Sequence, residues 1–156
     1  MNSPSTFPTV LRELLRTHQA FLSYAASHVN KLDLTLPQFD IIITLGGTPG
    51  MPYKKLGEKT LITKGTLTGV ISRLESKGLV QRIASDKDGR SQIIRLTEAG
   101  DELFERTFPE HLSFINCLFN DYTPEDITIL QAALVRLYKA VISARSDNGE
   151  KLDDEE

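Results

Sequence analysis

The chain has 156 residues, a formal net charge of −3, 40% hydrophobic and 25% charged residues, 10 Gly, 7 Pro, 1 Cys and no Trp. These values exclude collagen-like, low-complexity and disulfide-stapled classes, and they suit one domain with an extension, able to build a core without a metal or cross-link. Cys117 has no second cysteine to pair with, and the first residues carry no secretory leader pattern. No window reads as a spanning helix, so a cytoplasmic protein with no membrane partner and no cofactor is expected.

In chain order, Leu11, Leu14, Leu15, His18, Phe21, Leu22, Ala25 and Val29 recur at spacings of three and four, which predicts one long amphipathic helix from Thr9 to about Leu32, with Pro8 at its start. Thr35-Leu36-Pro37-Gln38 has the spacing of a capping box and predicts a second helix, which stops at Gly46-Gly47. Pro49-Gly50 is a turn. A short helix from about Pro52 to Lys59 then leads into another from about Thr63 to Lys77, in which Leu67, Val70, Ile71 and Leu74 must face the core. Two such helices joined by a few residues predict a helix-turn-helix, closed by Gly78.

The period then changes to that of strands. Residues 79–83 and 92–96 predict two strands around the turn-forming stretch 85–90, so the fold class is mainly α with a small β-hairpin wing (α+β): a winged helix-turn-helix. From Thr97 a helix is expected to run past Pro109 to about Tyr122. Thr123-Pro124-Glu125-Asp126 starts a last helix, with Ile127, Leu130, Leu134, Leu137 and Val141 in an almost heptad-like stripe. The expected organisation is an N-terminal dimerisation helix over 1–35, the winged domain over 36–100, C-terminal dimerisation helices over 101–145 and an acidic, disordered tail over 146–156.

Charge is divided along the same boundaries. Residues 1–35 carry +1, residues 36–100 carry ten basic against six acidic side chains (+4), and residues 101–156 carry five against thirteen (−8). A basic middle in an acidic chain suits a polyanion, although an ordinary solvated surface has the same composition. The small winged part cannot cover the apolar stripes of the long flanking helices. A second copy related by two-fold symmetry could, and such a pair of helix-turn-helix units suits pseudo-palindromic duplex DNA.

Several motifs in register carry a family resemblance: Leu34-Thr35 with Gln38-Phe39, Leu56-Gly57-Glu58, Gly65-Thr66-Leu67-Thr68, Arg73-Leu74-Glu75, Gly78-Leu79-Val80 with Arg82, Asp88 with Arg90, and Leu96-Thr97 with Gly100. The chain resembles the MarR family of bacterial transcriptional regulators, and its Gly-Thr-Leu-Thr run is closest to the OhrR-like branch. That resemblance implies a homodimeric, sequence-specific DNA-binding regulator, by family habit a repressor.

Candidate DNA-binding residues are Thr63, Lys64, Gly65, Thr66, Thr68 and Arg73 on the second motif helix and Lys54 and Lys55 on the first. Thr63 is the expected cap, Lys64, Thr66 and Thr68 lie in the turns that reach base edges, and Gly65 allows close approach. For Thr66 and Thr68 local capping is the alternative role, and for Arg73 an ion pair with a nearby carboxylate. By resemblance, Arg90 at the wing tip enters the minor groove while Asp88 holds its guanidinium; an Asp88–Arg90 pair that stiffens the hairpin is the alternative. Lys87 is a phosphate candidate. The family's residue at the position of Gly69 is often larger and basic.

Regulators of this architecture respond to a ligand or an oxidant. A small apolar or aromatic acid between the first two helices and the winged part is one expectation, with Arg16 and His18 as candidate effector-binding residues. A thiol switch at Cys117 is an alternative, but residues 7–32 lack the sensor Cys of the OhrR-like branch, and a buried packing role for Cys117 is expected instead. His18, His28 and His111 have no i, i+4 partner, so no metal site is expected. No hydrolase elbow, phosphate loop or zinc-protease motif is present, which argues against an enzyme and leaves a winged-helix protein-interaction module without DNA binding as the other class.

Overall fold

The computed structural model describes residues 6–60, 62–85 and 92–147. It divides into two compact units, residues 1–115 and 116–156. In the first unit α1 (Thr6–Val29) runs into a 3-10 turn (Asn30–Leu32), followed by α2 (Leu36–Leu45), β1 (Met51–Pro52), α3 (Tyr53–Lys59), α4 (Lys64–Ser76), β2 (Val80–Ala84), β3 (Gln92–Leu96) and α5 (Glu98–Asn116). The second unit holds a 3-10 turn (Cys117–Phe119) and α6 (Pro124–Asp147).

The centre of the first unit is α2. Its capping box forms as expected: the Thr35 amide donates to Gln38 Oε1 at 3.0 Å and the Gln38 amide donates to Thr35 Oγ1 at 3.4 Å. Phe39, Ile41, Ile42 and Leu45 are fully buried, and they join Val29, Leu56, Leu67, Ile71, Leu74 and Ile94 in one core. α4 contributes one side only, Leu67, Val70, Ile71 and Leu74, so its other side faces outward. Gly78, at φ +71°, ends α4 in a Schellman motif, with the Leu79 amide on the Leu74 carbonyl (3.0 Å) and the Gly78 amide on that of Glu75 (2.8 Å).

β2 and β3 form the antiparallel hairpin, pairing Val80 with Leu96 through Ala84 with Gln92. The sheet has a third strand that the sequence did not announce: β1 pairs with β3, Met51 opposite Ile94, and the strand order is β1-β3-β2. A two-residue strand containing Pro has no period to read. Where α5 starts, Gly100 packs directly on the Leu79 carbonyl, leaving no room for a Cβ. Pro109 lies inside α5 without ending it. The helix expected to run on to Tyr122 stops instead at Asn116.

The second unit starts α6 with a reciprocal cap. The Asp126 amide donates to Thr123 Oγ1 at 3.1 Å, and the Thr123 amide donates to Asp126 Oδ2 at 2.9 Å. The Thr123 hydroxyl also donates to Asp126 Oδ2 at 2.7 Å, and it, with the Thr123 amide second, holds the Asp126 carboxyl below its ordinary range. Residues 124–146 are, by length and a mean hydropathy of 1.4, apolar enough to cross a membrane, which corrects the expectation that no window qualifies. Arg136 and Lys139 stand in the middle of that stretch, where a bilayer would charge about 2.5–3.5 kcal/mol for each. Cys117 is exposed, not buried as expected, since it opens a 3-10 turn none of whose residues is buried.

Candidate nucleic-acid interface

The outward side of α4 carries Lys64, Gly65, Thr66, Thr68, Gly69 and Arg73, all exposed, on a helix whose opposite side is fixed in the core. Thr63 occupies the cap position, and its carbonyl accepts from the Thr66 and Leu67 amides at 2.9 and 3.0 Å. Its side chain does not cap the helix, contrary to expectation. The hydroxyl donates instead to Thr66 Oγ1 at 3.0 Å, which orients two hydroxyls at the helix start. Gly65 and Gly69 leave gaps in this surface: a Cβ at either position would meet nothing within 4 Å.

The cations of the basic middle separate into two groups. Arg82 reaches back from β2 to Glu75 at 3.1 Å and Ser72 at 3.2 Å, tying the wing to the end of α4. Lys77 binds both the carbonyl and the carboxylate of Asp33, the residue at φ 57° between α1 and α2, and holds that carboxyl below its ordinary range. Lys54, Lys55, Lys64 and Arg73 are exposed and form no ion pair among the described residues. The ion-pair alternative for Arg73 is therefore not realised, since Arg82 engages neighbouring Glu75. Lys87, Asp88 and Arg90 lie outside the described residues.

Two groupings escaped the sequence because their members are far apart in it. Tyr53, at the start of α3, has its ring against the core and its hydroxyl 2.6 Å from Thr68 Oγ1. His28 of α1 and His111 of α5 face each other with Nδ1 atoms 3.2 Å apart, beside Phe114, Tyr24 and Phe39. Burial, then the neighbouring His28, lowers the proton affinity of His111. No group of three His, Cys, Asp or Glu able to hold a metal occurs among the described residues. The expected effector residues stand apart from this cluster: His18 is exposed on α1, and Arg16, also exposed, pairs with Glu13 at 3.1 Å.

Comparison with known proteins agrees with this geometry. Residues 34–92 match the model of the MarR family. The chain is 31% identical over 136 residues to an organic hydroperoxide resistance transcriptional regulator of Bacillus subtilis, covering 81% of this chain and 91% of the relative. It is 34% identical over 93 residues to a homoprotocatechuate degradative operon repressor of Escherichia coli, covering 60% and 63%. Among solved structures, AbsC, a MarR family transcriptional regulator from Streptomyces coelicolor, superposes with a TM-score of 0.81 at 25% identity, covering 92% of this chain and 99% of that one.

Proposed function

This chain belongs to the MarR family and is a DNA-binding transcriptional regulator, not an enzyme; from that premise we propose that it acts in the cytoplasm as a homodimeric repressor of pseudo-palindromic operators. The observation that carries the DNA contact is the outward side of α4, polar, interrupted by two glycines and flanked by unpaired cations, on a helix held rigidly from behind. In this reading Lys64, Thr66 and Thr68 meet base edges. Lys54, Lys55, Arg73, Lys87 and the α4 start at Thr63 and Gly65 meet phosphates, and Arg90, braced by Asp88, enters the minor groove.

The dimer is supported by apolar surface that the single chain leaves exposed. Leu11, Leu15, Phe21 and Leu22 on α1, and separately Ile129, Leu130, Leu134, Val135, Tyr138 and Val141 on α6, are each 38% exposed or more. Surface of this size on a monomer marks an interaction site. Repression is supported by the Escherichia coli relative, itself an operon repressor. For the effector, the reading is a small apolar or aromatic acid between the first two helices and the winged part, with Arg16 and His18, both exposed on α1, as the residues that would meet it. A thiol response at Cys117 is the second reading, favoured by the exposure of that side chain and by the name of the Bacillus subtilis relative.

The test is duplex binding as a function of salt. Wild-type protein binds random duplex with affinity that falls steeply from low to moderate salt, and Arg90→Ala or Lys87→Ala reduces the slope by about 1. No binding at low salt would leave the protein-interaction reading. Fast peroxide oxidation that releases DNA supports the Cys117 switch, and an unreactive thiol removes it.

A further inference from the structure

We propose that Tyr53 is a positioning residue for DNA recognition: its phenol donates to Thr68 Oγ1 and so turns the Thr68 hydroxyl outward as a donor that reads one base acceptor per half-site. The inference rests on the reading of α4 as the helix that enters the major groove. The two hydroxyl oxygens are 2.6 Å apart, a strong O–H···O bond, and the Tyr53 ring is held by the core so that its hydroxyl is fixed in place. A phenolic O–H, its oxygen's electron density drawn into the ring, is a stronger hydrogen-bond donor and a weaker acceptor than an aliphatic hydroxyl, so Tyr53 donates and Thr68 accepts. Thr68 keeps one O–H, and with one side of its oxygen occupied that proton points away from Tyr53.

The surface around this hydroxyl is open. Gly65 and Gly69 lie three residues before and one after Thr68, and neither position is crowded by any described residue. Glycine inside a helix costs stability relative to alanine. No packing among the described residues requires it at these two positions, so the requirement lies with a partner that approaches closely. Ser72, one turn further on, accepts from Arg82 at 3.2 Å and is tied to the wing, whereas Thr68 lies between the two open positions. Acceptors on base edges of the major groove, purine N7, guanine O6 and thymine O4, are the matching chemistry.

The experiment uses the full chain and a random-sequence duplex pool. Duplexes bound by wild type, Tyr53→Phe, Thr68→Val, Thr68→Ser and the Tyr53→Phe/Thr68→Val double variant are sequenced, and affinity for the wild-type-selected duplex is measured at one salt concentration. Thr68→Val is expected to abolish the base preference at one position of each half-site and to weaken binding about fivefold, the worth of one hydrogen bond. Tyr53→Phe should blunt the preference at that same position, Thr68→Ser should restore it, and the double variant should equal Thr68→Val alone. Additive losses, or uniform weakening with an unchanged base profile, overturn the inference while the DNA reading stands. Failure of the wild type to bind the pool at low salt overturns both.

Discussion

Replacing Gly69 with Ala separates what α4 needs for stability from what it needs for contact with DNA. Gly69 is inside a 13-residue helix, exposed, outside the positive-φ region, and a Cβ added there would meet nothing within 4 Å. Alanine therefore fits without strain and gains the usual helix-interior difference of about 1 kcal/mol. For a chain of this size that raises Tm by about 2–4 °C. The same methyl fills the gap next to Thr68, and displacing one direct hydrogen bond weakens duplex binding about fivefold. Circular-dichroism melts without DNA and fluorescence-anisotropy titrations at fixed salt read the two effects separately. A Tm that stays level or falls refutes the argument from open space. A raised Tm with unchanged affinity refutes the assignment of that space to DNA.

Gly100→Ala is the opposite case: its Cβ meets the Leu79 carbonyl, which also accepts from the Thr97 amide and cannot yield without breaking that bond, so a loss of about 3 kcal/mol and a much lower Tm are expected. His111 binds protons less readily in the folded chain than in the unfolded one. Its contribution to stability is therefore present at neutral pH and is lost as pH falls below about 6.5, and His111→Asn should flatten that part of the Tm–pH curve. Leu134→Glu with Tyr138→Glu puts charge on the exposed apolar side of α6 and should convert dimer to monomer by light scattering; an unchanged mass would remove α6 from the interface.

Elements whose cause is local were legible in the sequence. The Thr35–Gln38 cap, the Leu67-to-Leu74 stripe and the Gly78 stop each depend on residues within a turn or two, and each forms as expected. What could not be read depends on distance along the chain. β1 exists because Met51 and Pro52 lie beside β3, while Tyr53 meets Thr68 and His28 meets His111 only once the helices pack. The outward residues of α4 were identifiable because the core stripe fixed which side remained. The direction of their hydroxyls was not, since Thr63 suits an N-cap by type and turns to Thr66 instead. Cys117 was misjudged because its apolar neighbours Leu118 and Phe119 are themselves exposed.

The pairing of β1 with β3 also bears on how the DNA-reading unit comes apart. Met51 opposite Ile94 clasps the two ends of a segment of roughly forty residues that contains α3, α4 and β2. Opening any of these elements by more than fraying strains or breaks that clasp, which makes them one cooperative unit, while α1 lies outside the loop. Native-state hydrogen exchange should then show the β3 amides and the interior of α4 exchanging through a single opening with a common free energy, and α1 exchanging through another. A two-residue strand thus decides which parts of the chain unfold together.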